Sequence, residues 1–294
     1  MNITFIGFGE AGGILAHDLQ AQGHAVTVWD RKALDAESLP ALQQKAQQSG
    51  VRLATSLAQA LQDATLVFST VTASQALKVA QQAAALLQAG QYFLDLNSVA
   101  PHTKRAAAET LSASAASYID VAVMAPVPPK RLATPLLIGG EHAATVHPLL
   151  LQLGLNSRLL GSDVGEASAI KMCRSIMIKG LEALTTECLS AARQYGVEQE
   201  VLDSLHASFP SLGWNDQLPH YLISRVAEHG QRRAEEMQEV VKTLQDVAVP
   251  AAMSAAIVAT QQGLVDALDA RSLRYHQLTP FVWQQTLDKI YSPQ

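Results

Sequence analysis

The sequence predicts an α/β fold with a doubly wound parallel sheet, followed by an all-α C-terminal domain. Two observations carry this. Up to about residue 163, short apolar runs alternate with segments rich in Ala, Leu and Gln, and strand, helix, strand at this spacing implies βαβ units. After Gly161 the alternation stops and only helical periodicity remains.

The expected strands are Ile3–Gly7, Ala25–Trp29, Thr65–Val71, Tyr92–Leu96, Tyr118–Val123 and Leu136–Gly140. Between them, Glu10–Gln22, Ser74–Gln88, Pro101–Ser112 and Glu141–Leu153 read as helices. Val164–Tyr195 reads as one long helix, apolar at helical spacing through Ile170, Met177, Leu181, Leu184 and Cys188. Further helices are expected at about 197–208, 215–229, 231–247 and 250–270, with Pro210, Pro219 and Pro250 as punctuation. The domains are expected to span 1–162 and 163–294.

Composition narrows the function classes. With 294 residues, 48% hydrophobic and 16% charged, there is ample material for two cores. A net charge of −5 without any basic cluster argues against nucleic acid. No apolar run approaches the roughly 18 residues that span a bilayer. Two cysteines, Cys173 and Cys188, form no C-x-x-C pair, which fits a reducing compartment. Met1 runs straight into a strand with no leader-like segment, so the expected location is the cytoplasm. Nine histidines show no metal-ligand spacing, and no metal site is expected.

Gly7-Phe8-Gly9-Glu10-Ala11-Gly12 reads G-x-G-x-x-G. It follows a strand and opens a helix, the context of a Rossmann-type dinucleotide turn. Gly7 suits the tight turn, Gly9 the close approach of a pyrophosphate, and Gly12 the packing of helix on strand. The phosphates would meet the helix N-terminus along Glu10 and Ala11. Asp30 ends the second strand eighteen residues past Gly12, where a carboxylate meets the adenosine ribose hydroxyls. It would repel a 2′-phosphate and so favours NAD(H), while the adjacent Arg31 and Lys32 leave NADP(H) open. Thr72, just past the strand at 65–71, is placed with the cofactor.

With these residues in view, the chain resembles the β-hydroxyacid dehydrogenase superfamily, which contains 3-hydroxyisobutyrate dehydrogenase and 6-phosphogluconate dehydrogenase. The resemblance runs the whole length. "DLNSVAP" matches a substrate-binding motif through Asp95, Asn97, Ser98 and Pro101. "DVAVMAPV", from Asp120, falls on a D-A-P-V-S-G-G segment whose serine and glycines are replaced by Met124, Ala125 and Pro126. "GEASAIKMCRS" keeps Gly165 and Lys171 of a G-x5-K-x-x-N-N motif, with Arg174 and Ser175 where asparagines stand. "KMCRSIMIKGLEALTTE" and "HGQRRAEEMQEVVKTLQD" resemble an uncharacterised phosphogluconate-dehydrogenase-like branch.

The resemblance implies NAD(P)-dependent hydride transfer at the CH–OH of a small hydroxyacid or related polar alcohol, in a cleft between the domains. It implies Lys171 as general acid/base, a small-molecule substrate held by Asn97, Ser98, Met124, Ser175 and His229, and a homodimer through the helical domain. Independently, alcohol oxidation needs a group that takes the hydroxyl proton, and a lysine among Ala169, Ile170, Met172 and Cys173 can serve once its pKa is lowered. Cys173 itself reads as a buried small residue, and Trp214 and His220 as candidates to line the cleft. Two rivals stay open: imine-reductase-like C=N reduction, which generally lacks this lysine, and a dinucleotide-binding sensor that has lost catalysis.

Overall fold

The computed structural model describes residues 1–291. Contacts divide the chain into two units, Met1–Met172 and Cys173–Gln294. In order, the first contains β1 (Asn2–Ile6), α1 (Glu10–Ala21), β2 (Ala25–Trp29), α2 (Leu39–Gln48), β3 (Arg52–Leu53), α3 (Leu57–Leu61), β4 (Leu66–Ser69), α4 (Ala76–Ala84), β5 (Tyr92–Asp95), α5 (Pro101–Ser112), β6 (Ser117–Val123), β7 (Leu136–Gly139), α6 (Ala143–Gln152) and β8 (Ser157–Leu159). Helix α7 (Glu166–Tyr195) starts in the first unit and continues into the second, which adds α8 (Glu198–Ser208), α9 (Leu218–Asp246), α10 (Ala252–Ala270) and α11 (Trp283–Tyr291). The first unit takes in the start of α7, where Gly165 N and Ser168 N donate to Asp120 of β6.

The sheet order is β3-β2-β1-β4-β5-β6-β7-β8. Strands alternate their side chains between two apolar layers: Ile3 and Phe5 enter one, Ile6 the other; Leu66 and Phe68 enter the first, Val67 the second. Phe5 and Phe68 stack across β1 and β4 with centroids 4.9 Å apart. Burial on both faces is what a doubly wound sheet requires, and each fully buried aromatic or aliphatic side chain contributes about 1.5–3 kcal/mol. The direction of winding reverses between β1 and β4, which makes a crevice at their carboxyl ends.

One expectation changes here. The sheet is parallel except where β7 runs antiparallel to β6. The connection between them, 124–135, carries only a three-residue helical turn, Arg131–Ala133, too little to return the chain for a parallel pairing.

The helical unit corrects another. Helix α9 is continuous through Gly230, where a break was expected. A Cβ at Gly230 would lie 2.4 Å from the carbonyl oxygen of Gln261, so the glycine serves close packing on α10 instead of ending the helix. On α7, most of the apolar row faces out: Met177 is 74% and Leu184 57% exposed, and Cys188 is exposed too, while Leu181 packs on the helical core. The buried side mixes apolar residues such as Ala183 and Leu189 with a polar set, Ser175, Lys179, Glu182 and Thr186. It is satisfied by α9 and α10: Lys179 pairs with Glu236 at 2.9 Å, and Glu182 takes Arg233 at 3.0 Å and Gln261 Nε2 at 3.1 Å. Burial still raises the Glu182 carboxyl above its ordinary pKa. Trp214 is in the core with Leu222, Ile223 and Trp283, and His220 lies edge-on to Phe281 at 5.5 Å. Among the described residues no helix is long and apolar enough to cross a membrane.

Gly230→Ala should lower stability by about 1–3 kcal/mol through overpacking against α10, despite alanine's better helix propensity. A melting temperature equal to or above that of the parent protein would disprove the close approach.

Candidate functional site

The first cluster surrounds the glycine turn between β1 and α1. Gly7 has φ +94, and a Cβ there would sit 2.5 Å from the Thr70 carbonyl oxygen. At Gly12 it would sit 2.4 Å from both the Gly7 carbonyl oxygen and Thr70 Oγ1. These glycines are set by the protein's own packing. Gly9 differs: its Cβ would meet nothing within 4 Å, so nothing in the chain demands a glycine there. Space is left for a group that is not protein, which fits a dinucleotide pyrophosphate on the loop and helix N-terminus. Glu10 is exposed and Ala11 half-buried. Thr70 Oγ1 donates to the Gly7 carbonyl at 2.8 Å and so ties the ends of β1 and β4 together.

Asp30 sits where the ribose is expected. Its Oδ2 accepts from Phe8 N at 2.8 Å and its Oδ1 from Lys32 N at 2.9 Å. Each carboxylate oxygen keeps a further lone pair for a hydroxyl, so Asp30 both braces the loop and remains an acceptor. Arg31 Nη1 reaches Gln75 Oε1 at 3.5 Å. Thr72 is exposed, 3.3 Å from Ser74 Oγ. Sequence reasoning missed Lys45. From α2 its ammonium donates to the carbonyls of Phe8 (2.6 Å) and Gly9 (2.8 Å) and stands 4.5 Å from the centroid of the Phe8 ring. Burial pulls its pKa below the usual lysine value, against the opposing pull of Asp30. A lysine on a Gln-rich helix gave no sign of this reach.

The second cluster lies past β5 and at the start of α7. Lys171 Nζ donates to Ser98 Oγ at 2.5 Å, bringing together two residues 73 positions apart. Ser98 and Lys171 are half-buried. Asn97 is turned inward: its Oδ1 accepts from Val71 N at 2.7 Å, and its Nδ2 donates to Ser69 Oγ and Asp95 Oδ1 at 2.9 and 2.7 Å. The amide therefore braces β4 against β5. The Met124 N–H is spent on the Pro135 carbonyl at 2.9 Å, and its side chain packs on the patch of Ala122, Leu137 and Ala167.

Ser175 and His229 belong to the helical unit. Ser175 Oγ accepts from Lys179 Nζ at 3.2 Å. His229 is pushed down to about 4, first by burial and then by the cations Arg225, Arg232 and Arg233, so its ring is neutral at pH 7. Cys173, expected to be buried, is exposed, because it lies on the outer side of α7.

Two tests follow from this geometry. Gly9→Ala should leave the melting temperature nearly unchanged while weakening dinucleotide binding, whereas Gly12→Ala should lower stability by about 1–3 kcal/mol. Equal loss of stability in both would remove the distinction. Because folding depresses the His229 pKa, the unfolded chain binds more protons between its value of about 6.5 and about 4, and stability falls as pH drops through that window. His229→Gln should flatten that slope in melting temperature against pH; an unchanged slope would exclude His229 as its source.

Comparison with known proteins agrees with this architecture. Residues 2–161 match the NAD binding domain of 6-phosphogluconate dehydrogenase, and residues 192–264 match a domain of unknown function, DUF1932. An uncharacterised 28.5 kDa protein of Methanothermus fervidus is 26% identical over 82% of this chain and 90% of its own. The 3-hydroxyisobutyrate dehydrogenase of Pseudomonas aeruginosa is 29% identical over 72% of this chain and 71% of its own. Among solved structures, a conserved hypothetical protein from Sinorhizobium meliloti shares 36% identity with a TM-score of 0.75, covering 98% of this chain and 95% of that one. An imine reductase from Aspergillus terreus, 21% identical with a TM-score of 0.58 over 92% of this chain and 93% of that one, shares the fold. With a dinucleotide turn shaped as described and a family match over more than half its length, this chain belongs to the superfamily of 6-phosphogluconate and 3-hydroxyisobutyrate dehydrogenases, in the branch that carries DUF1932.

Proposed function

We propose that this protein moves a hydride between a nicotinamide cofactor and the CH–OH of a small hydroxyacid or related polar alcohol. The 2.5 Å contact of Lys171 Nζ with Ser98 Oγ carries the reading. It sets a proton-carrying amine beside a hydroxyl at the carboxyl ends of the strands, where ligands gather in open parallel sheets. The cofactor, when bound, supplies the hydride acceptor. The turn that Gly7 and Gly12 shape would hold its pyrophosphate at Gly9 and the start of α1, and Asp30 its adenosine ribose. Asp30 supports a preference for NAD(H), since a carboxylate there opposes a 2′-phosphate, with Arg31 and Lys32 the nearby cations that temper it.

Ser98 Oγ orients the substrate hydroxyl, and Lys171 Nζ accepts its proton as the C–H bond is broken. In reduction the ammonium returns that proton to the carbonyl oxygen. Met124 and Pro126 stand where small residues are usual, which supports a hydroxyacid other than 3-hydroxyisobutyrate or 6-phosphogluconate. The exposed apolar row on α7, with Met177, Leu184 and Tyr195, supports a homodimer through the helical unit.

Reduction of NAD+ and of NADP+ should be followed across a panel of hydroxyacids that includes both standard substrates. Turnover of one member with NAD+ preferred is expected. Lys171→Met should then cut kcat by roughly 10²–10⁴-fold with cofactor affinity kept. Near-normal turnover in that variant would end the assignment.

A further inference from the structure

Behind the Ser98–Lys171 contact stand two carboxylates that the reading above does not use. Asp95 ends β5 and Asp120 lies on β6, and the two are direct partners in the parallel ladder. Both are buried, and between them lies Lys104 of α5, 0% exposed. Lys104 Nζ is 3.2 Å from Asp95 Oδ1 and 3.4 Å from Asp120 Oδ1, and it also donates to the Asp95 carbonyl at 2.5 Å. The same carboxylates hold two further stretches of chain. Asp95 Oδ1 accepts from the backbone N–H of Asn97 at 2.9 Å, one residue before Ser98. Its Oδ2 accepts from the Tyr118 hydroxyl at 2.8 Å. Asp120 Oδ2 accepts from Gly165 N at 3.0 Å and Ser168 N at 3.3 Å, which open the helix that carries Lys171 one turn later.

We propose that Asp95, Lys104 and Asp120 form a positioning triad that sets the distance between Ser98 and Lys171. Asp95 fixes the strand end bearing the serine. Asp120 fixes the helix start bearing the lysine. One ammonium, shared between them, keeps the two carboxylates side by side where they would otherwise repel in a buried site. Gly165 lets the helix start come this close: its φ is +105, and a Cβ there would lie 2.7 Å from Arg105 Nη1 and 3.3 Å from Pro101 Cβ on the helix that also carries Lys104. The proposal rests on the reading of Lys171 as the working amine, because that amine is what the triad positions.

The test measures acylation of Lys171 by acetic anhydride, quantified by mass spectrometry with the exposed Lys78 as internal reference, and so needs no substrate. Lys104→Met/Asp120→Asn and Lys104→Met/Asp120→Ala keep the net charge of the triad. They differ in one respect: the asparagine can still accept from Gly165 and Ser168, and the alanine cannot. The asparagine variant should label Lys171 at close to the parent rate. The alanine variant should label it about tenfold faster, the change expected from losing the backbone hydrogen bonds that the asparagine keeps, with the melting transition of both still cooperative. Lys104→Met alone, with two unneutralised carboxylates, should label Lys171 fast as well, and the added Asp120→Asn should reverse that. Equal labelling in the two double variants would overturn the proposal whatever the protein's activity. Failure of every hydroxyacid with the parent protein, alongside the expected labelling pattern, would instead overturn the functional reading and leave the triad standing.

Discussion

Two aspartates opposite each other on neighbouring buried strands are the constraint on which the second cluster depends. Like charges so placed are strongly unfavourable unless a cation joins them and the remaining lone pairs find donors. Here the cation must come from the helix that follows β5. The chain supplies it with Pro101 as a first-turn residue and Lys104 three residues on, facing the sheet. The remaining donors come from Asn97, Gly165, Ser168 and Tyr118. Burial, then the charges of Asp95 and Asp120, hold the Tyr118 phenol well above its usual pKa. It therefore stays protonated and remains a donor over any physiological range.

The cofactor end is organised differently. There the backbone is held by close approach and by groups that touch its carbonyls and amides: Thr70 on Gly7, Asp30 on Phe8, Lys45 on Phe8 and Gly9. A loop braced on several sides loses little conformational freedom when a ligand arrives, so less of the binding free energy goes into ordering it.

What the sequence revealed and what it hid follow one physical rule. The glycine turn and Asp30 were legible because their geometry is local: glycine positions in one turn and a carboxylate at the next strand end. Ser98 and Lys171 were legible as motif members, but their contact spans 73 positions and no spacing rule reaches that far. Lys104 and Lys45 were missed because a lysine on a short helix reads as a solvated one, and only the sheet above Lys104 or the loop beside Lys45 says otherwise. The polar groups on the inward face of α7 were hidden for the same reason. Lys179 and Glu182 are buried because α9 and α10 bring Glu236, Arg233 and Gln261 to meet them. The continuity of α9 through Gly230 was likewise decided by α10, not by the glycine's own propensity.

The unbroken α9 also limits how the helical unit can vary in length. A helix advances about 100° per residue, so inserting or deleting one residue just after Gly230 would swing Arg233 and Glu236 together off the side they share. Their partners Glu182 and Lys179 are fixed on another helix and could not follow. Exchanges of side chain along the outer surface of α9 leave that phase untouched, whereas a change in residue count does not. The connections, such as 209–217 between α8 and α9 and 271–282 between α10 and α11, carry no such phase and can take a change in residue count without turning Arg233 and Glu236 away from their partners.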